Sequence, residues 1–433
     1  MNTLKNKEIW ISGFALFSLF FGAGNLILPT SLGVKSGSNW WIVLFGFAVT
    51  AVVIPILSIF AHAKLQGTLY DFGKKVSPIF STVFCFLIYA IAIAIPGPRT
   101  AAVTHEMTVR PFFDVSPLLT STIYFGLVFI FVINRSKIID VLGKFLTPII
   151  VIILLIIIIL AIISSPKTNL LPTIKNPFAD GILEGYQTFD AIAGVVVGAV
   201  MIVSLNFGNL HTFDEKKQVI SKSGLIAGVG LLLIYGGLIF SGFLFSATFP
   251  ENATRIDILT SLSLQTLGGF GRIFLSVLVA LACFTTAVGV VTGTADYIKG
   301  ICKNSQKAFV ITAVICSIIG ILVGSFQVDF IIILAVPALM FLYPITIVLI
   351  LLNVIPDKFG SKIVFRAVVF TTFLFSIPDF LGFIIDEKYL VTIKNIIPLA
   401  NNNMGWVLPS LLVFVLVNFW DHNKFNLTQI YFS

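Results

Sequence analysis

Charge is what this chain has least of. Only 11% of its 433 residues are Asp, Glu, Lys or Arg, under half the roughly 25% of an average soluble domain, and that excludes a solvated globular surface. Cysteine is scarce as well. Cys85, Cys283, Cys302 and Cys316 are scattered without paired spacing, which argues against a disulfide framework or a thiolate zinc site. The four histidines, His62, His105, His211 and His422, lack metal-ligand spacing, and no HExxH, GxSxG or P-loop sequence occurs. The chain is therefore not read as an enzyme. Without a Walker A sequence, any uphill work must draw on an ion gradient. The first residues, MNTLKNKEIW, are polar and lead straight into an apolar segment, so no cleaved signal peptide is expected.

What fills the chain instead is hydrocarbon: 58% of residues are hydrophobic, 43 of them Phe, and the mean hydropathy is +1.05. The run IIVIILLIIIILAII, Ile149 to Ile163, has no polar side chain and is long enough to cross most of a ~30 Å hydrocarbon layer. Backbone in lipid must satisfy itself, which leaves helices or a closed barrel. Unbroken apolar runs, rather than alternation, select helices. The expected fold class is an all-α polytopic membrane protein with twelve transmembrane helices. Basic residues cluster in alternate loops, as at Lys74 and Lys75, Arg135 and Lys137, Lys216 and Lys217, and Lys299 to Lys307. The formal net charge of +8 reads as a positive-inside excess that puts both termini in the cytoplasm. Nothing points to nucleic acid or to an obligatory protein partner; the lipid bilayer is the surrounding medium.

Two spans look defective as lipid-facing helices. In the first (9–31), LFFGAGNLILP interrupts the helix at Gly22, Ala23, Gly24 and Asn25, and again at Pro29. In the sixth (178–208), GYQTFDAIA carries Gln187, Thr188 and Asp190 ahead of a half spaced by Gly194 and Gly198. The second lies five spans after the first, so each opens a block of five helices, and an odd number per block inverts the second. Interrupted helices at matching places of inverted halves point to a secondary transporter with a midplane site. The repeats are set at about 9–164 and 178–353 within a transporter core of 1–353; residues 354–433 add two further helices and a tail.

A break frees carbonyls and N–H groups that lipid cannot satisfy, so it must line a site. Freed N–H groups at a half-helix start favour a carboxylate, and unwound carbonyls favour a small cation. The alternative for Gly22 and Gly24 is close helix packing, with Asn25 making a local hydrogen bond. Asp190, alone midway along a span, is by default functional: it meets a substrate ammonium, takes part in cation coupling, or caps the second half of its helix. Glu184, nearer the outer surface, reads as solvated. In span 8 (272–298), Thr285 and Thr286 make an oxygen-only nest suited to sodium, or back-bond to the preceding turn. Pro96 and Pro98 end or kink span 3 (78–103), leaving Arg99 at the outer mouth. There it is an external gate pairing with Glu106 or Asp190, or it snorkels to headgroups.

Together, FGAGNLILPTSLGVKSG, GPRTAAVTHEM, GYQTFDAIA, ACFTTAVGVVTGTADY and PALMFLYPITIVLILLN resemble the bacterial branched-chain amino acid:cation symporter family (LIVCS, the BrnQ carriers). The likeness runs from Phe14 to Asn353. It implies a LeuT-like fold of five plus five inverted helices in a bacterial cytoplasmic membrane. The implied activity is uptake of leucine, isoleucine and valine with sodium, or with protons, by alternating access. Carried over residue by residue, the main chain of Gly22, Ala23 and Gly24 would hold the substrate carboxylate, and Thr188, Phe189 and Asp190 would line the substrate. Asn25 would serve one sodium. Thr285, Thr286 and the carbonyls of Ala282, Ser18 and Phe21 would serve a second. His105 stands where Tyr is usual and Thr30 where a second proline is usual, and His105 leaves a proton-linked or altered gate open. A proton-coupled symporter of another small neutral amino acid remains an alternative, as does a channel or a non-transporting membrane receptor.

Overall fold

The computed structural model describes residues 2–134, 142–166, 172–206, 212–250 and 253–431; Arg135, Lys137 and His211 lie outside them. Among the described residues all regular structure is helical. In chain order the principal helices are α1 (Asn2–Phe20), α2 (Ala23–Ser36), α3 (Trp40–Ala48), α4 (Ile54–Leu65), α5 (Pro78–Ala94), α6 (Pro96–Thr104), α7 (Pro117–Ile133) and α8 (Thr147–Ile163). There follow α9 (Pro177–Tyr186), α10 (Asp190–Asn206), α11 (Phe213–Leu244), α12 (Arg255–Leu267), α13 (Gly269–Ile301), α14 (Gln306–Gly324), α15 (Val328–Val354), α16 (Lys362–Leu381) and α17 (Val407–Tyr431).

Local chemistry sets where many of these begin. Thr212, Thr254, Ser305, Ser116 and Ser361 each accept a first-turn N–H at the start of α11, α12, α14, α7 and α16, the usual use of a short hydroxyl at an N-cap. Burial then follows helical spacing. In α8, Ile150, Leu154, Ile157 and Ala161 are buried, whereas Ile152, Ile159 and Ile163 on the other side are more than half exposed. A contiguous face of bare isoleucine marks a surface that meets lipid or another apolar surface rather than water.

Eight helices of the described chain are long and apolar enough to cross a membrane, or nine if α9 and α10 are taken as one bent span. The expected twelve is larger for identifiable reasons. Residues Gly24–Leu65 run as one 42-residue helical stretch, longer than a single crossing needs, and turn at Gly37 (φ 50°). The apolar helices Pro117–Ile133 and Val407–Asp421 are short, and α1 stops at Phe20 before its span is complete.

The chain divides into two compact units, one of Met1–Gln66 with Tyr89–Ala335, the other of Gly67–Ile88 with Val336–Ser433. In the second, Lys75 donates to the Gly360 carbonyl at 3.2 Å, Arg366 Nε to the Val76 carbonyl at 2.8 Å, and Asn353 to the Phe72 carbonyl at 3.1 Å; α16 packs on α17. The first unit carries the candidate site. Within it α1 and α2 lie along α11, α4 packs on α10 and α11, and α3 on α9. Gly194 and Gly198 permit the α10–α4 approach, because a Cβ on either would collide with Ser58 or His62. A second group, α6, α7, α13 and α14, packs mutually. The two groups meet where α13 touches α1 and α10.

Candidate functional site

Gly22 and Asn25 build the first break. The N–H that would extend α1 to the Ser18 carbonyl belongs to Gly22, but Gly22 is extended (φ −121°, ψ −163°) and its N–H donates to Asn25 Oδ1 at 3.2 Å. One side chain thus ends α1 and steadies the start of α2. The released Ser18 carbonyl accepts the Thr285 hydroxyl from α13 at 2.8 Å. Asn25 Nδ2 donates to both carboxylate oxygens of Asp190, each at 2.8 Å, and to Tyr235 Oη. The Tyr235 hydroxyl in turn donates to Asp190 Oδ2 at 2.8 Å. Asn25, Asp190 and Tyr235 are all buried, and a buried carboxylate is costly unless donors surround it. Here α2 and α11 supply them. The Asn25 Nδ2 is thus committed to Asp190 and Tyr235, while its Oδ1, the atom expected to serve sodium, accepts the Gly22 N–H.

The second break lies at Gln187, Thr188 and Phe189, between α9 and α10, which are bent by 40°. Phe189 is left-handed (φ 65°), a conformation that costs an ordinary residue about 1–2 kcal/mol. Thr188 meets the first N–H of α10: its Oγ1 accepts from Asp190 N at 3.2 Å and donates to the Gly185 carbonyl at 2.8 Å. The capping role considered for Asp190 therefore belongs to Thr188, which leaves the Asp190 carboxylate to face α2 and α11.

Arg99 is not at the outer mouth. It is 3% exposed; its Nη1 donates to the Gln187 carbonyl at 2.8 Å and its guanidinium lies 5.1 Å from the centre of the Phe189 ring. Neither snorkelling nor the expected pairing with Glu106 occurs. Glu106 Oε1 accepts the Val328 N–H at 3.0 Å at the start of α15, and His105 Nδ1 meets Thr120 Oγ1 at 2.9 Å. Glu184 is likewise not simply solvated. It pairs with Arg255 of α12 at 2.7 Å and accepts from Gln187 Nε2 at 2.7 Å.

The two threonines of α13 separate in role. Thr285 Oγ1 lies 2.8 Å from the Ser18 carbonyl and 2.9 Å from the Ala282 carbonyl, so three of the expected sodium ligands converge. Thr286 Oγ1 and Ser18 Oγ are buried without a partner, and a Cβ placed on Gly22 would come within 2.6 Å of Thr286 Oγ1. Gly22, Asn25, Arg99, Thr188 and Thr286 border one cavity whose lining is otherwise largely apolar, with Ile192, Val196, Val197 and Val290 among it. The space open to the centre of a water molecule there is about 30 Å³, room for about two waters at ~10–15 Å³ each.

Tyr235 escaped the sequence reading. Its signal was a single phenol within LLLIYGGLIF of α11, a buried hydroxyl that requires a partner; Phe21 and Phe47 flank its ring at 6.1 and 5.2 Å.

Residues 5–424 match the family described as branched-chain amino acid transport protein. Among individual relatives, the branched-chain amino acid transport system 2 carrier protein of Pseudomonas aeruginosa is 32% identical over 425 residues, covering 96% of each chain. The branched-chain amino acid permease BraB of Bacillus subtilis is 33% identical over 425 residues, covering 95% of each. Among solved structures, a manganese transporter of Eremococcus coleocola superposes with a TM-score of 0.61 at 14% identity, over 98% of this chain and 97% of that one. A substrate-bound, outward-open Na+-coupled sialic acid symporter gives 0.60 at 12% identity, over 94% and 90%. At such identities the shared property is the fold, that of LeuT-like transporters.

Proposed function

The chain belongs to the family of branched-chain amino acid transport proteins, and from that premise we propose that it takes up leucine, isoleucine and valine by sodium-coupled symport with alternating access. The observation that carries this reading is the cavity where the two helix breaks meet. Its lining combines Gly22, Arg99 and Thr286 with Ile192, Val196 and Val290, polar and aliphatic groups suited to a zwitterion with a branched apolar side chain. The main chain from Gly22 to Gly24 faces the carboxylate, with the first N–H groups of α2 at Ala23 and Gly24 as donors and the Gly22 N–H held by Asn25, and Thr188 and Phe189 line the substrate. Asp190 acts behind them, fixing Asn25.

For the coupling ion, the carbonyls of Ser18, Phe21 and Ala282 with the hydroxyls of Thr285 and Thr286 form an oxygen-only set. The convergence of Ser18, Ala282 and Thr285, and the unpartnered Thr286 hydroxyl, support it. On sodium binding the Thr285 hydroxyl turns its hydrogen away from the two carbonyls, and all three oxygens face the cation. Ten spans in two inverted blocks of five, 9–164 and 178–353, and two further spans in 354–433 account for the helices, with both termini cytoplasmic. A cavity with room for about two waters does not admit leucine without opening, in keeping with movement of α1, α2, α4, α10 and α11 against α6, α7, α13 and α14.

The test is uptake of labelled leucine by the purified full chain in proteoliposomes, with and without an inward sodium gradient. Sodium-stimulated uptake is expected. Uptake driven by a pH gradient and indifferent to sodium would overturn the sodium assignment, and absence of leucine uptake and counterflow would overturn the substrate.

A further inference from the structure

Arg99 is a buried cation with no carboxylate of its own. Its Nε has no hydrogen-bond partner, and Nη1 is held by a carbonyl rather than an anion. Its guanidinium also presses on the first turn of α2: a Cβ on Gly24 would collide with Arg99 Nη2 and lie 3.0 Å from Cζ. The start of a helix carries partial positive charge on its free N–H groups. Two positive features therefore meet at one edge of the cavity, and each disfavours the other until an anion joins them. The protein's own carboxylates nearby are engaged elsewhere, Asp190 with Asn25 and Tyr235 and Glu106 with the Val328 N–H.

We propose that the α-carboxylate of the substrate completes this site, held between the Arg99 guanidinium and the N–H groups at the start of α2. The inference rests on the amino acid substrate proposed above. It makes Arg99 a substrate-binding residue instead of a gate, and it explains why position 24 is glycine: any larger residue pushes the guanidinium off the helix start. A planar guanidinium fits a carboxylate through paired N–H donors, and it has no such complement in a neutral amide. The site should therefore discriminate leucine from leucinamide strongly.

Equilibrium binding of both ligands to the purified full chain, in sodium, reads this directly. In Arg99→Gln, leucine affinity should fall by at least about 30-fold, the low end for truncating one member of a buried charge pair, while leucinamide affinity changes less than about 3-fold. The leucine-to-leucinamide ratio collapses, and Arg99→Lys restores part of it. Because Arg99 also braces the α9–α10 break, Gly24→Ala serves as a second variant; its methyl has only Arg99 atoms as its three nearest neighbours, and the ratio should fall there too. A ratio unchanged in Arg99→Lys and Gly24→Ala, or equal losses for both ligands in Arg99→Gln, overturns the proposal. If the unaltered chain binds no branched-chain amino acid, the transport reading has failed. If it binds leucine and the variants keep the ratio, only the role of Arg99 has failed.

Discussion

Thr285→Val is the sharpest probe of the proposed cation site. Thr285 is fully buried, and its hydroxyl bridges the carbonyls of Ser18 and Ala282 at 2.8 and 2.9 Å. Valine keeps the branched shape and replaces the oxygen by a methyl, so packing is nearly preserved. Losing the neutral hydrogen bonds costs about 1 kcal/mol of stability. Losing an oxygen that faces a cation costs more, about 1.5–3 kcal/mol by analogy with hydrogen bonds to charged groups. At about 1.4 kcal/mol per decade, that raises the sodium concentration for half-maximal leucine uptake by roughly 10- to 150-fold. Thr285→Ser retains the oxygen and should stay within about 3-fold of the parent. The assay is initial leucine uptake in proteoliposomes across a sodium series at constant ionic strength. A Thr285→Val protein that still transports, with a sodium curve superimposed on the parent's, would refute the site even if the substrate were right.

Gly22→Ala should cut leucine transport by at least about 10-fold, because its new methyl meets the Thr286 hydroxyl at 2.6 Å; Gly126→Ala, which meets nothing within 4 Å, is the matched control in the same uptake assay. Tyr235→Phe strips a donor from the buried Asp190 carboxylate and should lower stability by about 1.5–3 kcal/mol, whereas in an Asp190→Asn background the same change should cost about 1 kcal/mol or less. Thermal unfolding of the four proteins of that cycle in detergent measures the difference, and equal costs in both backgrounds would show the phenol acts independently of the carboxylate.

Both breaks were legible because glycine, asparagine and aspartate inside apolar runs have no lipid-compatible explanation. The convergence of Ser18, Ala282 and Thr285 was expected only through a family resemblance, since nothing in span 1 alone indicates which distant helix will meet its freed carbonyl. Arg99 was misplaced for a local reason. Pro96 and Pro98 suggested that span 3 ends, but proline is tolerated in the first turn of a helix. After one irregular residue, Ile95, the chain resumes as α6, so that Pro78–Val109 forms one long segment and Arg99 is carried into the interior. Glu184 was misread because its partner, Arg255, lies 71 residues away on α12, a separation that hydropathy does not address. Tyr235 was overlooked because a phenol in an apolar run is ordinary until its partner is known.

The polar contacts of the site fall into two sets that the helix packing keeps apart. Asn25, Asp190 and Tyr235 come from α2, α10 and α11, all in the group that packs with α1 and α4. Their bonds are internal to that group, and relative motion of the two groups leaves them intact. Thr285 to Ser18 and Arg99 to Gln187 instead join α13 and α6 to the two breaks, across the division. A motion between groups must break or remake only this second set. Those are the places where a cation and a carboxylate are proposed to bind. A ligand shifts a conformational equilibrium only as far as it favours one state over the other. Ligands held across the division have that leverage, whereas a ligand held wholly within one group has none. On the proposed mechanism Asp190 would brace the broken helices to move as one body, and the coupling of ion to amino acid would fall to Thr285 and Arg99, the two residues that reach across.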